Sequence, residues 1–454
     1  MNARIRMLIL VRSVRAFALL ALLLLTVAVL PVAAQPPAQM AADQPADVAT
    51  AWFDLQLELV RTSPGFTPPV ASRAFGYSGV ALYESLVAGM PGYQSLVGQL
   101  NGFTGVPQPA ADRPLHWGIV ANAALAEISR LMFPNATDAG KAAINALEAE
   151  TNNTLAAQTD LDTAIRSAVH GTLVARAIYD WSMTDGGHEG YMLNFPADYV
   201  RPVGLTMWVP TPRRGGNPQP AMQPYWGDNR SFALESGAEC RVDAPYAEQG
   251  STAFLAEVRE VYDVSMALTD EQTAIAEFWS DDPGVTATPP GHSISVLTQV
   301  LRQEGASLDV AAEAYARMGI AVADAFIGCW NAKYIYHLIR PITVIRELID
   351  PEWMSIVNTP PFPEYPSGHS VQSGAAAVVL AGLFGDEYRF TDHTHDARGL
   401  PARDYRSFSE MAEEAAISRL YGGIHYRAAI ELGLEHGRCI GRKVNALQFR
   451  APSA

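Results

Sequence analysis

Apolar residues recur along much of this chain at spacings near 3.6, the period of a helix with one buried face. From Asp47 onward, Trp52, Leu55, Leu57 and Leu59-Val60 mix with polar positions in that way. Similar stretches cover about 68–90, 114–133, 138–156 and 159–184, and Ala, Leu and Glu dominate them as good helix formers do. Between Thr184 and Gly250 the texture changes. Gly186-Gly187, Pro210-Thr211-Pro212 and Gly215-Gly216-Asn217-Pro218 interrupt every period, as in a wrapped functional loop or a crossover between bundles. Helical spacing returns at about 251–266, 269–280, 292–304, 308–339, 369–384, 408–420 and 424–446. Few segments alternate with period two, so strands should be minor. The pattern predicts an all-α fold of two helical bundles, 35–250 with the long irregular loop and 251–454.

The first residues fall outside that pattern. Arg4, Arg6, Arg12 and Arg15 precede an apolar run from Ala16 to Leu30, and Val32-Ala33-Ala34 offers small residues for cleavage. This is the order of a secretory signal peptide over 1–34, and it predicts an extracytoplasmic product, secreted or periplasmic. A Pro/Gln/Ala-rich lead-in, Pro36 to Pro45, should be mobile. No second uninterrupted apolar run is long enough for a membrane span, so no membrane partner is expected after cleavage. The formal charge of −15 becomes −19 without the four arginines of the signal. So acidic a body repels nucleic acid. Cys240, Cys329 and Cys439 are too far apart in sequence to suggest a metal cluster; Cys329 and Cys439 read as buried helix residues, and the disulfide pairing stays open.

Against that acidic background, three patches concentrate positive charge and proton-handling groups where helical patterns break. Lys333 and Arg340 share a helix face two turns apart, and Pro341 places the arginine where the helix stops. An ammonium and a planar guanidinium suit an oxyanion with several oxygens, although such a pair also makes an ordinary solvated edge. Pro366-Ser367-Gly368-His369 directly precedes an apolar run, which puts Ser367 and the Gly368 amide at a helix N-terminus, a natural anion site, with His369 as a group that titrates near neutrality. Ser418-Arg419 closes one helix, Gly422-Gly423 breaks the chain, and His425 opens the last helix. A fainter echo, Pro289-Pro290-Gly291-His292, reads as a turn into the helix at 292–304.

The order Lys-x6-Arg-Pro, Pro-Ser-Gly-His, Ser-Arg-x5-His resembles the signature of the type 2 phosphatidic acid phosphatase and vanadium-dependent haloperoxidase superfamily. The chain's length and its lack of multiple spans are similar to the chloroperoxidase-like branch. So are Trp330 and Phe362, which stand where aromatics wall the pocket there, and the run Phe278–Pro290, in which Asp282 would brace an active-site arginine. The resemblance implies vanadate as cofactor, with His425 as the axial metal ligand. Lys333, Arg340, Ser367, Gly368 and Arg419 would hold its oxygens. His369 and Lys333 would be catalytic, the first in acid–base work and the second by polarising the bound oxidant. Partners would be hydrogen peroxide and a halide. The alternative within the superfamily is an exported acid phosphatase, with phosphate as occupant, a phosphate ester as substrate and a phosphohistidine at His425. A non-catalytic phosphate-binding relative is a third possibility.

One position departs from the family pattern. Where an Asp four residues after the last histidine orients its imidazole, this chain has Ala429. Glu431 lies roughly 200° around the helix from it. Another acid or a backbone carbonyl must do the orienting.

Overall fold

Thirteen α-helices and one small antiparallel ribbon make up the regular structure of a computed structural model that describes residues 40–211, 216–243 and 250–451. The helices are α1 (Asp47–Thr62), α2 (Pro68–Leu86), α3 (Trp117–Met132), α4 (Asp138–Ala156), α5 (Leu161–Ser182), α6 (Thr252–Met266), α7 (Asp270–Phe278), α8 (Thr288–Gln303), α9 (Leu308–Tyr336), α10 (Pro341–Leu348), α11 (Gly368–Phe384), α12 (Phe408–Tyr421) and α13 (Arg427–Asn445). The ribbon pairs β1 (Phe390–Asp392) with β2 (Arg403–Tyr405), Phe390 opposite Tyr405. The expected all-α class is what the chain adopts. The predicted signal segment lies outside the described residues, and among those described no helix is long and apolar enough to cross a membrane.

Local chemistry explains most boundaries. Asp160, Ser251 and Ser407 each cap a helix by accepting the amide three residues on. Thr269 and Gln272 form a reciprocal capping box at α7. The periodic stretch expected over 308–339 stops at Tyr336, because His337 takes a left-handed conformation (φ 49°). Arg340 then caps a short helix, α10, that periodicity did not reveal. Pro341 starts it, and Ile342, Val344 and Ile345 bury its apolar side.

Helices from both predicted bundles share one core. α2 is buried along almost its whole length and runs against α9. A Cβ at Gly79 would stand 2.3 Å from the Tyr315 carbonyl, so only glycine lets these two backbones approach. Gly437 does the same for α13 against α11, where a Cβ would meet the Val371 carbonyl at 2.0 Å. Phe53 stacks on Tyr315 with centroids 3.7 Å apart, fastening α1 to the same centre.

Two expectations change. The lead-in is tied down from Met40 onward: Ala41 is buried, and Gln44 and Ala46 exchange backbone hydrogen bonds with Leu308 and Ala306 at the start of α9. Cys439 is half-buried and more than a helix packing residue. It forms a disulfide with Cys240 that fastens α13 to the irregular segment, while Cys329 stays a free, buried thiol.

Candidate functional site

Three breaks between helices bring the three patches together. The C-terminal end of α9 supplies Trp330 and Lys333, and the N-terminus of α10 supplies Arg340. Ser367 is the N-cap of α11; its Oγ accepts from the Ser370 amide at 3.3 Å, and Gly368 and His369 form the first turn. Arg419 lies in the last turn of α12, and His425 follows the Gly422-Gly423 turn, with Gly423 left-handed (φ 76°), just before α13. Trp330, Phe362, Gly368, His369, Arg419 and His425 line one cavity with Asp281 and Asp282. The two aromatics anticipated as its walls are there, their rings 4.9 Å apart.

The cations are buried, and burial dictates how they are held. Lys333 is fully enclosed, and its ammonium donates to the carbonyls of Pro363 (3.0 Å), Glu364 (2.9 Å) and Pro366. The expectation that it faces an oxyanion is thereby modified: a buried ammonium needs three acceptors, and the segment leading into Ser367 provides them. Desolvation pushes its pKa down to about 7. Arg340 donates through Nε to the Phe362 carbonyl (3.0 Å) and through Nη1 to the Ile424 carbonyl (2.8 Å) and His425 Nε2 (3.2 Å). Its Nη2 is buried without a partner. Arg419 donates to Ser418 Oγ (2.9 Å) and the Ala276 carbonyl (3.1 Å). Burial lowers both guanidiniums to about 10.

Both histidines are held neutral. Burial, then Arg340, Lys333 and Arg419, drive His425 well below the usual imidazole range; burial, then Arg419, do the same to His369. A His369 titrating near neutrality, as its type suggested, is therefore not what the protein's own groups produce. A backbone hydrogen bond to Trp279 turns its ring, and its Nε2 has no partner.

The orienting acid that Ala429 cannot supply comes from elsewhere in the chain. Glu364 Oε1 accepts from His425 Nδ1 at 2.8 Å and from the Tyr426 amide at 2.9 Å. This fixes the tautomer that turns the Nε2 lone pair toward the cradle. Burial raises Glu364 to about 7, with Arg340 opposing the rise. Sequence reasoning overlooked it, although a signal existed: between Glu352 and Asp386 it is the sole acid, three residues before Ser367. Ala429 packs instead, its carbonyl accepting the Ser367 amide at 3.0 Å, and Glu431 pairs with Arg427 on the outer face. Asp282 does not brace an arginine by hydrogen bonding; its Oδ2 accepts from Asn358 (3.1 Å), and it supports Arg419 only through its field, less than Asp281 does.

An oxyanion of phosphate size fits these donors. Arg340 Nη2 and His369 Nε2 are both buried without a partner, and Gly368 lines the cavity with room for no more than ordinary contact against Trp330, 3.9 Å from where a Cβ would stand. A tetrahedral anion in that cavity would accept from Arg340 Nη2 and, through a protonated oxygen, donate to His369 Nε2.

A family model described as the VCPO second helical-bundle domain matches residues 313–451, the stretch holding all three patches. The vanadium chloroperoxidase of Curvularia inaequalis is 25% identical over 217 residues, covering 34% of this chain and 36% of that protein; the match thus spans about a third of that relative's length. The solved structure of the first bacterial vanadium-dependent iodoperoxidase is 37% identical, with a TM-score of 0.79 over 88% of this chain and 96% of that one. A holo-type bacterial vanadium-dependent chloroperoxidase superposes with a TM-score of 0.65 over 86% and 95% of the two chains at 18% identity, a likeness of fold.

Proposed function

The chain belongs to the vanadium-dependent haloperoxidase family, and on that footing we propose that it binds vanadate at His425 and oxidises halide with hydrogen peroxide. The observation that carries this reading is the Glu364–His425 hydrogen bond, which makes Nε2 the lone-pair nitrogen of a neutral imidazole among three buried cations, one of which, Arg340, donates to it. Bound vanadate supplies a Lewis-acid centre that activates peroxide. Arg340, Arg419 and the Ser367-Gly368 turn would hold its oxygens, and Lys333, its three protons committed to backbone carbonyls, would act on them through its field. Because they are fixed before binding, little reorganisation is needed when negative charge arrives.

His369 supplies the acid–base function. Kept neutral by burial and then by Arg419, it gains affinity for a proton once an anion occupies the cradle, since negative charge favours imidazolium. Its Nε2 can then accept a proton from peroxide and return one to the leaving oxygen. The overall reaction takes one halide, one peroxide and one proton to hypohalous acid and water. Trp330 and Phe362 keep the cavity side apolar, which strengthens every charge interaction inside.

Iodide is the halide we assign, on the 37% identity to the iodoperoxidase over most of both chains. Export is part of the same reading, supported by the signal-like first 34 residues and by the Cys240–Cys439 disulfide, which suits an oxidising compartment. The test is purified protein, stripped and then supplied with vanadate, assayed for peroxide-dependent iodide and bromide oxidation and for p-nitrophenyl phosphate hydrolysis. Vanadate-dependent iodide oxidation is expected. Phosphatase turnover without halide oxidation would overturn the assignment in favour of phosphoryl transfer.

A further inference from the structure

Behind the cavity wall lies a second buried cluster whose histidines the halide chemistry does not use. Asp281 Oδ2 holds His292 Nδ1 at 2.9 Å, and Asp392 Oδ2, at the end of β1, holds His292 Nε2 at 2.7 Å. His395 Nε2 stands 3.3 Å from Asp281 Oδ1. That last contact is not aligned as a hydrogen bond: both atoms are buried and neither has a hydrogen-bond partner. The side chains of Asp281, His292 and His395 are 1%, 1% and 2% exposed. One donor atom from each lies within 4.8 Å of the others. Trp279 stacks on His292 at 4.3 Å, and Phe278 packs edge-on against both imidazoles, so water offers these groups little.

Two buried polar atoms 3.3 Å apart that form no hydrogen bond, inside an apolar shell, leave a place for an occupant. The charges say which sign. Two buried carboxylates face one imidazole whose proton offsets only one of them; Arg419 reaches Asp281 only through its field, so the cluster keeps surplus negative charge, which is costly when buried. A divalent cation in place of that proton matches both. The second carboxylate is also where a metal-binding histidine needs one, on the ring nitrogen away from the ion. We propose that Asp281, His292 and His395 bind one divalent cation of the zinc class through one oxygen and two nitrogens, with Asp392 as the carboxylate that orients His292. Two nitrogens and an oxygen suit Zn2+ or Co2+ better than Mg2+ or Ca2+.

The ligands come from the loop after α7, the first turn of α8 and the turn after β1. One ion would therefore staple the ribbon to the wall of the active cavity, of which Asp281 is part. His425 contributes nothing to it, so loss of the cradle histidine leaves its ligands in place, although Asp281 also acts on Arg419 through its field.

Full-length protein, treated with a chelator and exchanged into metal-free buffer, is titrated calorimetrically with Zn2+ alone and spectroscopically with Co2+ alone. One equivalent should bind and raise the unfolding temperature. Asp392→Asn should weaken binding roughly 10–100-fold, His395→Gln should abolish the equivalent, and His425→Ala should bind as the parent does. No uptake by the parent protein overturns the proposal, and leaves His292 as a proton held between two carboxylates. So does unchanged uptake by His395→Gln, or loss of uptake in His425→Ala. Should His395→Gln not fold, X-ray absorption of the zinc-loaded parent decides: two imidazoles with oxygen support the site, and a sulfur ligand or a single imidazole overturns it.

Discussion

Two buried histidines in this molecule are each held by carboxylate, and they end in opposite electrostatic states. His425 has one carboxylate, Glu364, and three cations around it, and is driven neutral. His292 has two, Asp281 and Asp392, and against the cost of burial they push it up to about 10. Residue type and burial are alike; the excess of neighbouring charge differs. The cradle carries surplus positive charge and an unpaired donor, Arg340 Nη2, as befits an anion site. The cluster behind it carries surplus negative charge and unpaired acceptors, as befits a cation site. Desolvation penalises both, and each surplus is stored readiness for a ligand of the other sign.

The largest way to break this contrast is to remove the cradle histidine. His425→Ala should abolish vanadate-dependent halide oxidation, measured as triiodide formation with saturating peroxide; retained turnover would remove His425 from the chemistry. Next in size is the opposite histidine. His292→Gln leaves Asp281 and Asp392 facing each other across a buried gap, and in metal-free protein should cost about 3–5 kcal/mol, read from the denaturant midpoint. A change below 1 kcal/mol would mean that the two carboxylates find other partners.

Glu364→Gln should lower vanadate affinity roughly 10–100-fold while leaving the fold intact by circular dichroism. Glu364→Asp, shorter by one methylene, should recover part of the loss. The smallest expected effect is on pH. Lys333 has a pKa lowered by burial to about 7, so its ammonium is present below that value and lost as pH rises through it. Vanadate affinity measured by calorimetry should therefore fall above about pH 7, by at most about tenfold per pH unit for one linked proton. Lys333→Met should flatten that slope; an unchanged slope would assign the proton to another group.

Much of this architecture was legible before any coordinates. Most helices appear where the 3.6-residue period placed them, because an amphipathic stripe is a local property of the chain. α10 escaped because eight residues are too few to display a period, and its start is marked only by Pro341. The three patches were legible as well, since Pro341, Ser367-Gly368 and Gly422-Gly423 mark helix ends where backbone groups and charged side chains are available to a ligand. Glu364 was not, because an acid's role depends on which imidazole it reaches. The pair 364 and 425 is sixty-one positions apart in sequence and 2.8 Å apart in space. Nor was the turn-like Pro289–His292 legible as part of a charged cluster, since its carboxylate Asp392 lies one hundred positions away from His292.

Composition, period and motif order thus determined the helical class, the acidic body and the placing of the three charged patches at helix ends, all of which depend on neighbours a few residues away. The protonation states were decided only when the chain closed on itself. Those states are sums of desolvation and Coulomb interactions over groups that folding alone brings within a few ångströms.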